Sequence, residues 1–325
     1  MKVLIPYDID EAGKAYLRER GYDVVVGSAH DQETIKREIV DADAVIARTD
    51  LYRKDVLECA KKLKVIARYG VGLDNIDLEY CAANGIFVTI AKNGNAVSVA
   101  EKTVGFILAT AQKLCMLDKM TKEGQYPAAR NNYPTCEVSG KTLGVLGLGN
   151  IGMIVAGMAH FGLNMNIVGF DVFADKMDIP EWIDVKKTME EVAEVSDIVT
   201  IHVPLLPSTV DLFDKKMISR MKDGAIIINC ARGGIVNEAD LAEALKSGKL
   251  GGAGFDVFAK EPPEDDNPLF GCETFVCSPH NAALTVDANR KVSLLAAESI
   301  DDVLSGRMPK YPAVKPDAPR AEIKG

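Results

Sequence analysis

Three polar residues follow short apolar runs in the second half of the chain. Arg232 lies in Cys230-Ala231-Arg232-Gly233-Gly234 after the run 225–230, Glu261 comes after 252–257, and His280 lies in Ser278-Pro279-His280 after 275–277. A guanidinium, a carboxylate and an imidazole are what hydride transfer at a hydroxyl-bearing carbon requires. An imidazole near neutral pH takes or returns the hydroxyl proton. A carboxylate beside the ring fixes its tautomer and stabilises the imidazolium that forms. A guanidinium binds a substrate carboxylate in a bidentate contact and polarises the neighbouring C2 oxygen. Singly, each residue has an ordinary reading: a solvated loop arginine, an acid in a Pro-rich turn, a histidine at a strand end. Together they point to interconversion of a small 2-hydroxy acid and its 2-oxo acid.

Such a reaction needs a hydride carrier, and Val145-Leu146-Gly147-Leu148-Gly149-Asn150-Ile151-Gly152 has the glycine spacing of a dinucleotide loop. In that reading Gly147 permits a tight turn, Gly149 lets the backbone approach a pyrophosphate, and Gly152 lets the following helix pack closely on the strand. The anion then sits over a helix N-terminus, where unpaired N–H groups and the helix dipole favour it. Asp171 follows the next apolar run, about 20 residues beyond the last glycine, where a carboxylate accepts from the adenosine ribose. It would repel a 2′-phosphate, and Val172 and Phe173 offer no cation to offset it, so NAD is expected rather than NADP.

Open α/β folds bind ligands at the carboxyl ends of their strands, so these residues call for a parallel sheet. The runs 143–146, 167–170, 198–202, 225–230, 252–257 and 275–277 predict six strands of a Rossmann sheet. Ahead of them, 3–5, 24–26, 44–47, 65–67 and 86–89 alternate with longer amphipathic segments, the pattern of a second parallel sheet. Between the two, 97–117 predicts one long bridging helix, with Ser98-Val99-Ala100-Glu101 fitting a capping box. A last helix over 287–304 carries Val292, Leu295, Ala296, Ser299, Ile300 and Val303 along one stripe and is expected to return to the first domain. The tail from Pro309 reads as extended or mobile. The expected division is a discontinuous substrate domain, 1–97 with 285–325, around an NAD-binding domain, 98–284.

Several separated motifs, in order along nearly the whole chain, resemble the D-isomer-specific 2-hydroxyacid dehydrogenase family. They are Arg68-Tyr69-Gly70-Val71-Gly72-Leu73-Asp74-Asn75-Ile76-Asp77, Ser98-Val99-Ala100-Glu101, the glycine loop, His202-Val203-Pro204-Leu205, Asn229-Cys230-Ala231-Arg232-Gly233-Gly234, Asp256-Val257-Phe258 with Glu261-Pro262, and Pro279-His280 with Thr285. The resemblance implies an α/β protein of two Rossmann-like domains: a doubly wound parallel NAD-binding sheet and a discontinuous flavodoxin-like substrate domain. It also implies a homodimer that uses the helix starting near Val97. Carried onto these positions, it makes Arg232 the substrate clamp, His280 the acid/base and Glu261 its partner. It gives the N–H groups of Val71 and Gly72 to the substrate carboxylate, although a simple strand-to-helix turn explains that Gly-rich stretch equally well. Asn150 and Ile151 would meet the pyrophosphate, Asp256 the nicotinamide amide, and His202, Pro204, Thr209, Cys230, Ala231 and Ala282 other parts of the cofactor. His202 has no neighbouring partner for a second base and reads as structural or cofactor-lining; His30 and His160 have no such context. Cys230 reads as a small buried residue, or as a thiol whose oxidation would affect activity. Two positions depart from the family pattern, Lys102 where many relatives carry histidine and Leu206 where threonine is common. Glu261 speaks against formate, because formate dehydrogenases of this superfamily pair glutamine with the histidine.

The 325 residues suggest about two domains, and the net charge of −9 argues against nucleic acid or an anionic membrane surface as partner. No apolar stretch is long enough to span a bilayer. Seven cysteines without Cys-x-x-Cys pairs fit reduced thiols in a cytoplasm, and no zinc spacing suggests a metal. Arg48, Arg68 and Arg130 resemble the arginines that surround the substrate phosphate in phosphoglycerate dehydrogenases, the last reaching across from a neighbouring subunit; three surface arginines are the alternative. The expectation is therefore a phosphoglycerate or hydroxypyruvate/glyoxylate-type enzyme with no room for a regulatory domain after the last helix. Another D-2-hydroxy acid such as lactate is the alternative substrate. An NAD-sensing corepressor-like binding protein is the alternative of another class.

Overall fold

A computed structural model describes residues 1–29 and 31–323; His30 and the last two positions of the expected C-terminal segment lie outside the described residues. The chain divides into two compact units, Met1–Asn95 with Leu284–Gly325, and Ala96–Ala283. Both are α/β units built on mainly parallel sheets.

In the first unit, β1 (Lys2–Ile5), β2 (Asp23–Val26), β3 (Ala44–Ala47), β4 (Val65–Arg68) and β5 (Phe87–Ile90) are parallel in the order β5-β4-β3-β1-β2. That is the flavodoxin-like order. β3 is apolar throughout because both of its faces are covered. Ala44 and Ile46 join Val3, Ile5, Val65 and Ala67 on one side, and Val45 and Ala47 join Leu4, Ile66 and Val88 on the other. A short strand absent from the expectation, Pro312–Val314, pairs antiparallel with β5. The tail is thus held: Arg320 donates to the carbonyls of Ala60 at 2.9 Å and Leu63 at 3.2 Å.

Helices Glu11–Glu19 and Val286–Leu304 cover the first of these faces, and glycine sets their separation. Gly13 N–H donates to Ser293 Oγ at 3.0 Å, and a Cβ on Gly13 would stand 2.2 Å from that oxygen and 2.6 Å from the Ser293 carbonyl oxygen. Gly13→Ala must push the helices apart and is expected to cost about 1–3 kcal/mol. The urea midpoint should fall with the slope unchanged; an unmoved midpoint would show that the helices part freely.

In the second unit, β6 (Thr142–Leu146), β7 (Asn166–Phe170), β8 (Ile183–Val185), β9 (Ile198–Ile201), β10 (Ala225–Asn229), β11 (Leu250–Phe255) and β12 (Phe275–Cys277) are all parallel. Their order, β12-β11-β10-β9-β6-β7-β8, is that of a Rossmann sheet extended by one strand. Among the described residues the sheet has seven strands rather than six, because β8 buries only Ile183 and shows no apolar run. β11 starts two residues earlier than expected and is rich in glycine for a packing reason. A Cβ on Gly252 would stand 2.5 Å from Thr110 Cγ2, and one on Gly254 would stand 2.9 Å from Phe106 Cβ, so helix Ala96–Ala111 lies directly on the strand.

The helix expected over 97–117 is two helices, Ala96–Ala111 and Leu114–Lys122, separated by Lys113 at φ 49°. The second buries none of its side chains, so the apolar periodicity there reports no core contact. Ser98 lies inside the first turn, and Ser98-Val99-Ala100-Glu101 is not a capping box here. Among the described residues, no helix is long and apolar enough to cross a membrane.

Candidate active site

The glycine loop joins β6 to helix Asn150–Gly157. Gly147 sits at φ 92°, and a Cβ there would be 2.7 Å from the His202 carbonyl oxygen. A Cβ on Gly152 would be 2.0 Å from the Gly147 carbonyl oxygen, so the helix rests on the turn itself. Those two glycines serve the fold. Gly149 faces open space, and no side chain caps the helix, so the first N–H groups of Asn150 and Ile151 are offered outward. Asp171, the residue after β7, accepts from Leu148 N–H and Phe173 N–H, both at 2.9 Å. Its carboxylate is tied to the loop and retains acceptor capacity for hydroxyl groups.

At the end of β10 the buried Asn229 folds the chain over. Its Oδ1 accepts from Ala231 N–H at 3.0 Å and its Nδ2 donates to the Arg232 carbonyl at 2.8 Å. The half-buried Arg232 follows, with one guanidinium nitrogen donating to the Ala231 carbonyl at 2.8 Å. Next comes Gly233, where a Cβ would be 1.8 Å from the Phe258 carbonyl oxygen. The turn carrying Arg232 is therefore in backbone contact with the turn carrying Glu261. Glu261 Oε1 accepts from Phe258 N–H at 3.1 Å, while Oε2 lies 2.7 Å from His280 Nδ1. A carboxylate only accepts, so Nδ1 carries the proton and Nε2 is the nitrogen left for a ligand. Nε2 makes no hydrogen bond among the described residues. The His280 and Glu261 side chains are 48% and 36% exposed, open enough to meet a small molecule.

His280 is held at φ 48° by its own N–H, which donates to the Asp256 carbonyl at 2.7 Å. The buried Asp256 carboxylate organises the rest of that turn, accepting from the Ser278 hydroxyl, from Asn281 N–H at 3.0 Å and from Ala282 N–H at 2.9 Å. Asn281 Oδ1, next to the histidine, is buried without a partner among the described residues.

Residues 104–282, more than half of the chain, match the family described as D-isomer specific 2-hydroxyacid dehydrogenase, NAD binding domain. The chain belongs to the D-isomer-specific 2-hydroxyacid dehydrogenase family. It is 40% identical to a D-3-phosphoglycerate dehydrogenase of Archaeoglobus fulgidus over 308 residues, 94% of this chain and 58% of that protein. It thus spans less than two thirds of such relatives. It is 36% identical to a glyoxylate reductase of Thermofilum pendens over 323 residues, 95% of this chain and 93% of the relative. A Thermus thermophilus protein of known crystal structure superposes with a TM-score of 0.90 at 31% identity, over 97% of this chain and 100% of that one.

The family's NAD fits what the second unit presents: the space over Gly149, the uncapped helix end and the carboxylate of Asp171. The other expected contacts of this family member have structural duties as well. Burial pushes the His202 imidazole down to about 4, and its Nε2 pairs with Thr200 Oγ1 at 3.0 Å, so it stays neutral. Thr209 Oγ1 accepts from Leu206 N–H and donates to the Pro204 carbonyl, each at 2.7 Å, which shapes the loop between an exposed Pro204 and a buried Thr209. Cys230 is buried, and desolvation pushes its thiol up to about 12; it is a packing residue rather than a reactive one. Ala231 is half-buried and Ala282 is buried beneath the histidine turn.

In the first unit Arg48 and Arg68 stand at the ends of neighbouring strands. The Arg48 guanidinium lies 4.2 Å from the Tyr7 ring centre and 5.1 Å from that of Tyr69, and donates to the Asp8 carbonyl at 2.7 Å. Arg68 donates to the carbonyls of Tyr69 and Gly72, each at 2.7 Å. The N–H groups of Val71 and Gly72 meet no acceptor among the described residues. Arg130 belongs to the other unit, exposed on helix Tyr126–Asn132 with Tyr126 Oη at 3.5 Å. The sequence assigned no role to Asn229, Gly233 or Ser278. Two of them lie inside a recognised motif, but only the folded chain shows which turn each one braces.

Proposed function

We propose that the chain is an NAD-dependent D-2-hydroxyacid dehydrogenase acting on phosphohydroxypyruvate and 3-phosphoglycerate, or on hydroxypyruvate and glyoxylate. The observation that carries this reading is the 2.7 Å pair of His280 Nδ1 and Glu261 Oε2, with Nε2 left over. NADH supplies the hydride. Arg232 binds the substrate carboxylate and polarises the C2 oxygen. In reduction, protonated His280 gives its Nε2 proton to that oxygen; in oxidation, the neutral ring takes it back, while Glu261 stabilises the charged form. Val71 and Gly72 N–H groups donate to the substrate carboxylate.

Gly147, Gly149, Asn150, Ile151 and Gly152 seat the pyrophosphate, and Asp171 takes the ribose hydroxyls. His202, Pro204 and Thr209 line the cofactor, while Cys230, Ala231, Asp256 and Ala282 stand at its nicotinamide end. Arg48, with Arg130 from a second copy, reads a substrate phosphate. A homodimer would cover Leu114 and Tyr126, 61% and 56% exposed on helices that carry little buried surface. The free cysteines suit a cytoplasmic setting.

The test is NADH oxidation with phosphohydroxypyruvate, hydroxypyruvate, glyoxylate and pyruvate. Turnover in the ordinary range of about 1 to 10³ s⁻¹ is expected with at least one of the first three. Turnover below about one per minute with all four, far under that range, would favour a binding module that senses NAD. Arg48→Ala and Arg130→Ala are each expected to lower kcat/KM for the phosphorylated acid by about tenfold or more, the loss of one charge-assisted contact, and to spare glyoxylate. A preference unchanged in both variants removes the phosphate assignment.

A further inference from the structure

By its charge and place in the sequence, Arg68 reads with Arg48 and Arg130 as a cation facing substrate phosphate. Its guanidinium instead holds three main-chain carbonyls, two of them in its own loop and one at the end of β3. Nε donates to the Gly72 carbonyl at 2.7 Å, and Nη1 donates to the carbonyls of Tyr69 at 2.7 Å and Ala47 at 3.4 Å. The planar fork of an arginine can bridge separated acceptors in this way, and a lysine cannot. The chain turns around it: Gly70 takes φ 138°, its N–H donates to the Arg68 carbonyl at 2.8 Å, and its own carbonyl accepts from Ala91 N–H at 2.8 Å.

The carbonyls of residues 69, 70 and 72 are all anchored, which fixes the peptide plane that precedes Val71 and pins the chain on either side of the peptide that carries the Gly72 N–H. In a trans peptide the N–H points opposite the carbonyl, so anchoring Gly70 on Ala91 turns Val71 N–H the other way. It is the Val71 and Gly72 N–H groups that meet no acceptor among the described residues. Arg48 is arranged differently, stacked beside two tyrosine rings and donating to the Asp8 carbonyl at 2.7 Å.

We infer that Arg68 is a positioning residue: it shapes residues 69–72 so that the N–H groups of Val71 and Gly72 are presented together to the carboxylate of any 2-oxo acid, and it does not read a substrate phosphate. This rests on the dehydrogenase reading for its kinetic consequence and on the loop geometry alone for its structural one.

The deciding variant is Arg68→Lys, which keeps the charge and loses the fork; Arg68→Ala loses both. KM for glyoxylate and for phosphohydroxypyruvate should rise by the same factor in each variant, about tenfold, with kcat changed less and NADH affinity, read by fluorescence titration, unchanged. A crystal structure of Arg68→Lys should show residues 69–72 on a new course. The inference is overturned if Arg68→Lys behaves as wild type, if the loss in Arg68→Ala falls on the phosphorylated acid alone, or if the loop is unmoved. Should the wild-type protein reduce none of these acids, the dehydrogenase reading fails, and the loop's course in Arg68→Lys still decides the role of Arg68.

Discussion

His280→Ala is expected to lower turnover by a factor of roughly 10² to 10⁴, the contribution of a general acid or base, while NADH affinity stays nearly unchanged. The separation follows from where the residue stands. The glycine loop and Asp171 lie at β6 and β7, whereas His280 follows β12 at the opposite edge of the sheet order. Its Nδ1 is engaged by Glu261, and its Nε2, which makes no hydrogen bond among the described residues, is the group that the proposed proton transfer uses. Removing the ring should therefore slow the proton step without disturbing the pyrophosphate seat. An equal loss in NADH binding and in turnover would mean that the ring serves the cofactor.

Gly233→Ala is expected to be nearly as damaging, although glycine has no side chain to do chemistry. A Cβ there would stand 1.8 Å from the Phe258 carbonyl oxygen, 2.1 Å from its carbon and 2.6 Å from Ala259 N. All three are backbone atoms, so the two turns must separate. Arg232 immediately precedes the glycine, and the Phe258 N–H holds Glu261. Both Arg232, the proposed clamp, and Glu261, the proposed partner of the base, would move, and a misplacement of about 1 Å costs on the order of 10² in rate. We expect kcat/KM to fall by roughly that factor or more with the NADH affinity retained. Wild-type kinetics in Gly233→Ala would show that the contact between the turns is not needed.

Much of the fold is legible because burial writes itself into composition. A strand covered on both faces must be apolar throughout, and Ala44–Ala47 is. The proposed trio comes from the rule that open α/β sheets put ligands at strand ends; Arg232, Glu261 and His280 each follow one, and the fold sets Glu261 beside His280. β8 is hidden because an edge strand with one buried residue makes no apolar run. The early start of β11 is hidden because its glycines answer to Thr110 and Phe106, far away in the chain. The break at Lys113 is hidden because apolar spacing continues across it into a helix that buries nothing. At the site, the sequence shows an arginine's charge but not its partners. Arg48 and Arg68 look alike in the chain, yet one is stacked on tyrosines and the other bridges two carbonyls of its own loop.

The central claim is hydride transfer between nicotinamide and C2 of a D-2-hydroxy acid, and isotope transfer tests it most directly. The protein is incubated with hydroxypyruvate and NADH dideuterated at the nicotinamide C4, and the product is analysed for deuterium position and for chirality. The expected product is D-glycerate with deuterium at C2, formed by the wild-type protein and barely formed by His280→Ala. Glycerate without deuterium at C2, or the L isomer, would contradict the claim.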